Sequence, residues 1–435
     1  MDQIERYFQF KQFHTTWKKE IIAGITTFVS MAYILFVNPN VLGVTGMNKG
    51  AVFTATALSG AFACLMMGIF AKYPVGLAPT LGINAFFSYT VVLEMHVSWQ
   101  TTLSAVFISS VILMIITSFR IRDYIMNSIP RDLKLAISAG IGMFIAFIGL
   151  EEGGIVTANK STLVQLGNFA HNGTWLTILG LIIMIVLFSL RVPAAIFVGM
   201  VFSTIVGIIS GLIKMPTHFI SKAPSLHGTF LVSLHHLGQI NTVQMWIVVF
   251  TFLLVPFFDA AGTLVGLTEQ AGIVKDNKIP RIGRALFTES TSILVGSLLG
   301  TSPVGAFVES SAGIAVGGRT GIVAIVVGLL FLLSLIFSPI LSVVTSQVTA
   351  PALILVGILM SKALGEINWH RFEIAVPAFF IVIGMPLTYS ISDGIAMGFI
   401  MYPITMLIAH RHKDVNPIMY GLAIVFLIFL FVIMK

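Results

Sequence analysis

Charge is what this chain has least of. Asp, Glu, Lys and Arg make up 9% of its 435 residues, against about 25% in soluble domains. That excludes an ordinary soluble enzyme. Disorder is excluded too, because 57% of the residues are hydrophobic and 35 are Phe. The single cysteine, Cys64, rules out a disulfide within the chain and a thiolate metal cluster. No small-residue cleavage pattern follows the first apolar run after the basic start MDQIERYFQFKQFHTTWKKE, so that run reads as a crossing and not as a signal peptide. His218, His227, His235 and His236 share the connection 214–243, but their spacing fits no compact metal site. No cofactor is expected.

What the chain has instead is long apolar stretches. They fall at 21–38, 51–73, 82–93, 101–119, 133–150, 174–190, 193–213, 244–268, 285–300, 304–317, 320–338, 340–361, 372–389, 392–409 and 415–434. At about 20 residues per crossing, fourteen crossings take roughly 280 residues and leave only short connections. The runs 82–93 and 304–317 are too short to cross alone. With a cytoplasmic N-terminus, 19 Lys and Arg face the cytoplasm, and only Lys49, Lys160, Lys214 and Lys222 face out. Such sorting sets topology. It explains the net charge of +7 without a nucleic-acid partner.

Two segments repeat. Gly76-Leu-Ala-Pro79 is followed by Gly82 and by Ala85-Phe86. Gly300-Thr-Ser-Pro303 is followed by Gly305 and Ala306-Phe307. They open the third and tenth runs, an odd offset that points the copies in opposite directions. This is the pattern of an inverted-repeat transporter with broken helices. Half-helices starting near Asn84 and Gly305 would aim their free N–H groups into a shared cavity.

Most acids sit at run ends. Asp259 and Glu309 lie deeper, where a charge is costly and usually functional. They could bind substrate or protons, or they could be protonated carboxyls bonded between helices. Thr263 follows Asp259 by four positions, on the same helix face. Thr26, Ser30 and Tyr33 form a polar stripe on the first run, read as packing or as ligand contact. Asn38-Pro39 is expected to end that run. Asp393 reads as a helix N-cap, and Glu151-Glu152 as solvated.

The stretch from Gly24 to Pro39 (GITTFVSMAYILFVNP) resembles the first-span signature of the AzgA-like purine permeases, within the nucleobase–ascorbate transporter superfamily. The segments 82–87, Asp259-Ala-Ala-Gly-Thr263, Glu309-Ser-Ser-Ala-Gly313 and Gly317-Gly-Arg-Thr-Gly321 match in order, and the resemblance covers essentially the whole chain. It implies an all-α membrane protein of about fourteen segments in a seven-plus-seven inverted repeat. Core parts 1–120 and 243–338 would move against gate parts 121–242 and 339–435. It implies proton-coupled uptake of a purine base, with hypoxanthine and guanine favoured, across a bacterial cytoplasmic membrane, and a possible homodimer. The family's acids match Asp259 and Glu309, which would also carry the proton, and its asparagine matches Asn84. Backbone N–H groups near Ala85, Gly305 and Ala306 would donate to the ring, and Phe86 and Phe307 could stack on it or simply pack. Ala260, Gly305-Ala306 and Thr80 depart from the usual pattern and leave open whether adenine or xanthine is the base. An inorganic anion carrier of the same fold is a rival, disfavoured by two buried carboxylates. A membrane-embedded enzyme would need a nucleophile or metal cluster that the runs do not supply.

Overall fold

The computed structural model describes residues 2–119, 128–169, 171–215, 218–274 and 279–433. Each of the fifteen apolar runs becomes a structural element, and every one is helical wholly or in part. Seven of the described helices are long and apolar enough to cross a bilayer alone, and six more are apolar but shorter. Polar residues start many of them. Thr16, Asn48, Ser98, Thr242, Thr320 and Ser390 each accept a backbone N–H from the first turn, satisfying a donor that would otherwise be stranded.

Four strands occur among the described residues: β1 (Leu77–Pro79), β2 (Val156–Asn159), β3 (Leu163–Leu166) and β4 (Val304–Ala306). β2 and β3 form a hairpin in a connection. β1 and β4 come from the two repeated segments and pair antiparallel, with Ala78 opposite Gly305 at the centre. An antiparallel pair has a local two-fold axis, and the helices obey it. Lys49–Met66 packs on Gly321–Ser334, and its counterpart seven runs later, Ile282–Leu299, packs on Trp99–Ser118. Arg131–Glu152 packs directly on its own counterpart, Ser346–Met360. The repeat is therefore inverted in three dimensions.

The structure departs from three expectations. Asn38-Pro39 does not end the first span. The helix Trp17–Met31 breaks at Ala32-Tyr33, and Ile34–Gly43 continues with Pro39 inside it. Pro removes only one N–H, and the helix breaks instead at Ala32-Tyr33, six to seven residues before it. The tenth run does not form a helix from Gly305. Residues 304–306 are extended and the helix is Ser310–Ala315, because ladder pairing with β1 satisfies the backbone before helix can begin. Asp393 is not the N-cap: Ser390 accepts its N–H, and Asp393 lies in the first turn.

Candidate functional site

The site is organised by the β1–β4 crossing. Phe307 N–H donates to Gly76 O at 3.0 Å and Thr80 N–H donates to Pro303 O at 3.1 Å. Bonded pairs alternate in an antiparallel ladder, so Ala78 and Gly305 form the bonded pair between them. Gly305 N–H is thereby used within the sheet, while Ala306 falls on a non-bonded position. Side chains brace the crossing. Cys64 Sγ lies 3.1 Å from both the N and the O of Leu77, and Gly76 N–H donates to Ser310 Oγ at 2.9 Å.

From each strand a half-helix departs. The first runs as Leu81–Ala85 and then in wider π-type turns over Phe86–Glu94. Its N–H groups without an intrahelical acceptor are those of Leu81, Gly82 and Ile83, one turn before Ala85. Asn84 is fully buried there. Phe86 packs edge-on against Phe252, ring centroids 5.1 Å apart, so its ring is engaged by the helix Val243–Gln270. The second half-helix follows a turn in which Ser310 N–H donates to Phe307 O. Glu309 sits at its start, half-buried. Its Oε1 accepts from Tyr33 Oη at 2.5 Å, and the Tyr33 ring lies 6.3 Å from that of Phe307. Val308, the preceding residue, is 60% exposed.

Asp259 belongs by its backbone to the helix Val243–Gln270, which packs against β4 and Ser310–Ala315. Its side chain, with those of 258–262, lies outside the described residues. Thr263, one turn on, is half-buried. Ala85, Gly305, Ala306, Phe307, Glu309 and Asn84 thus gather around the two strands, while Phe86 is turned to Phe252.

The polar stripe divides. Thr26 and Ser30 donate to carbonyls four residues back in their own helix, and Tyr33 alone reaches across to Glu309. Sequence reasoning passed over two buried carboxyls, Glu20 and Glu289, both 0% exposed. Glu20 accepts from the N–H groups of Arg319 and Thr320 and from the hydroxyls of Thr15 and Thr320. It caps the helix Gly321–Ser334 and is structural. The signal for it was the Gly317–Gly321 loop, which offers free N–H groups with no acid of its own. Glu151 and Glu152 are not merely solvated. Tyr389 Oη donates to Glu151 at 2.6 Å, and Tyr89 Oη donates to Glu152. The Pro39 that follows Asn38 marks it in the sequence only as a helix end. Asn38 is fully buried and bonds Thr56, Asn84, Thr301 and Ser302.

The geometry has relatives. A family model described as a permease family matches residues 18–397. The guanine/hypoxanthine permease PbuG of Bacillus subtilis is 53% identical over 99% of this chain and 100% of its own length. The adenine permease AdeP of Escherichia coli is 41% identical over 98% of this chain and 95% of its own. Among solved structures, the transmembrane domain of the cyanobacterial bicarbonate transporter BicA superposes with a TM-score of 0.61 at 13% identity, covering 90% of this chain and 97% of that one. A structure of SLC26A9 gives 0.61 at 9%, covering 92% of this chain and 66% of that one. At such identities these two structures speak for the fold alone.

Proposed function

We propose, because the chain belongs to the permease family of nucleobase transporters, that it takes up purine bases, hypoxanthine and guanine foremost, together with protons. It is a multi-pass membrane transporter and not an enzyme. The observation that carries the substrate class is the 53% identity with a guanine/hypoxanthine permease over the whole of both chains. Relatives named for anions share only the fold, and their substrates do not transfer.

In this reading a planar base lies between the starts of the two half-helices. Glu309 accepts a ring N–H or exocyclic NH₂ hydrogen, with Asp259 as the second carboxyl and Thr263 beside it. The N–H groups at the start of the first half-helix, together with that of Ala306, donate to ring nitrogens or O6. Asn84 adds a carboxamide, and Ala85, Gly305 and Phe307 shape the walls. A proton on Asp259 or Glu309 neutralises the loaded site so that it can move. Core parts 1–120 and 243–338 move against gate parts 121–242 and 339–435. The packing of 49–66 on 321–334 and of 99–118 on 282–299 supports the grouping of the core. The one-sided cations support a cytoplasmic N-terminus in a bacterial cytoplasmic membrane. Assembly as a homodimer is part of the proposal and is read by crosslinking in membranes.

The test is uptake of labelled hypoxanthine in cells stripped of their own purine permeases. Expected are competition by guanine, collapse with a protonophore and loss in Glu309→Gln at equal membrane abundance. Competition by adenine alone would move the assignment to adenine. Unaltered uptake in Glu309→Gln would remove that residue from the site.

A further inference from the structure

We infer that Asn38 is a positioning residue that fixes the carboxamide of Asn84 so that the arriving base meets a hydrogen-bond acceptor there, and not a donor. The inference rests on the purine reading of the site.

Donor and acceptor supply around Asn38 fixes this orientation. Thr56 has one hydroxyl hydrogen, and it goes to Val52 O at 2.7 Å. Toward Asn38, Thr56 can therefore only accept, so the Asn38 atom facing it is Nδ2, at 2.8 Å. The same Nδ2 donates to Thr301 Oγ1, also at 2.8 Å. Asn38 Oδ1 must then face the other way, where Ser302 Oγ donates to it at 3.1 Å. The Asn84 atom in contact with that oxygen has to be Nδ2, at 3.0 Å. Asn84 Oδ1 is left turned away from Asn38, and it has no partner among the described residues. Thus a main-chain carbonyl in the helix Lys49–Met66 sets, through two side chains, the polarity of a third. The usual ambiguity of an amide's orientation is thus resolved by the bond from Thr56 to Val52 O.

A second observation points to a ligand on the same helix face. Thr80 and Ser88 lie four residues before and after Asn84, and Thr80 Oγ1 and Ser88 Oγ are also buried without a partner among the described residues. Many helix hydroxyls in this chain bond their own helix, as Thr26, Ser30, Ser203 and Ser292 do, and Thr27 and Ser233 are left unpartnered singly, not in a row. A row of unspent polar atoms beside the β1–β4 crossing is costly unless something polar comes to it. In this structure Asn84 Oδ1 is covered, so the base reaches it when the site opens.

The experiment compares how well hypoxanthine and its N1-, N3-, N7- and N9-methyl derivatives compete for labelled hypoxanthine uptake. In the native protein at least one methyl derivative should compete about tenfold worse, having lost the hydrogen that Asn84 accepts. In Asn84→Ala that ratio should fall toward one. In Asn38→Ala it should fall likewise, because the Asn84 amide is free to turn. Thr56→Val, a milder change, frees the Asn38 amide and should lower the ratio partway. Asn38→Asp still accepts from Asn84 Nδ2 and Ser302 and should keep the ratio even where the maximal rate drops. A merely structural role would change amount and rate in these variants but not the ratio. A native ratio in both Asn38→Ala and Thr56→Val overturns the relay and leaves the purine reading standing. A native protein that takes up no hypoxanthine overturns both.

Discussion

Tyr33 donates its hydroxyl hydrogen to Glu309 across 276 positions of sequence. The tyrosine is almost fully buried, at 1% exposure, and sits where the first span breaks between Trp17–Met31 and Ile34–Gly43. The break lets a side chain from the first repeat steer a carboxyl at the half-helix of the second. Tyr33→Phe should leave the fold intact and weaken apparent affinity for hypoxanthine. A hydrogen bond to a carboxyl is worth about 1–3 kcal/mol, or roughly 5- to 150-fold. Uptake kinetics at matched protein abundance check this, and an unchanged KM would detach Tyr33 from the site.

Glu20 predicts a different kind of loss. It holds the start of the helix Gly321–Ser334 through two backbone N–H groups and two hydroxyls. Glu20→Ala should lower stability by about 1–3 kcal/mol, as a lost cap with stranded buried donors does. Glu20→Gln, which keeps one acceptor oxygen, should lose less. Thermal unfolding of the detergent-purified protein, followed by size-exclusion recovery, orders the two.

Close helix approach makes some glycines irreplaceable. A Cβ on Gly313 would stand 2.0 Å from Thr27 Oγ1 and 2.5 Å from Ala23 O, whereas Gly421 has nothing within 4 Å. The obstruction includes backbone, so it cannot swing aside. Gly313→Ala should sharply reduce folded protein in membranes, and Gly421→Ala should be silent. Equal yields from the two would contradict the packing.

A clasp joins the first half-helix to its neighbours at the end opposite the clustered cations. Tyr89 bonds Glu152, Thr90 Oγ1 donates to Tyr389 O at 2.9 Å, and Tyr389 bonds Glu151. Beside it a small cavity is lined by Phe86, Thr90, Glu94, Ser392 and Asp393, among others. Tyr89→Phe combined with Thr90→Val should open this seam. In a Cys64→Ala background, an impermeant maleimide should then label Ser392→Cys several-fold faster in whole cells. No change in rate would mean that the clasp does not hold the seam shut.

The fifteen apolar runs and the inverted order of the two Gly-x-x-Pro segments were legible in the sequence, because each is a local pattern of polarity or of turn residues. Misreadings arose where a residue's meaning depends on something distant. Asn38 looked like a helix end because Pro39 follows it, yet the helix breaks earlier and Asn38 becomes a buried hub. Gly305 looked like a helix start, yet β1, some 220 residues away in the chain, claims it as a strand. Glu20 looked peripheral because its four donors lie roughly 300 residues on or just before it.

By itself, then, the sequence determined that the chain is a multi-pass membrane protein and which two segments correspond, since those follow from transfer free energies and local backbone chemistry. Only the tertiary structure decided that the two segments pair with each other, that Tyr33 rather than Thr26 or Ser30 meets Glu309, and which way the Asn84 amide turns. Hydrogen-bond partners inside a membrane are scarce. Which donor meets which acceptor is fixed only when helices far apart in sequence are packed side by side.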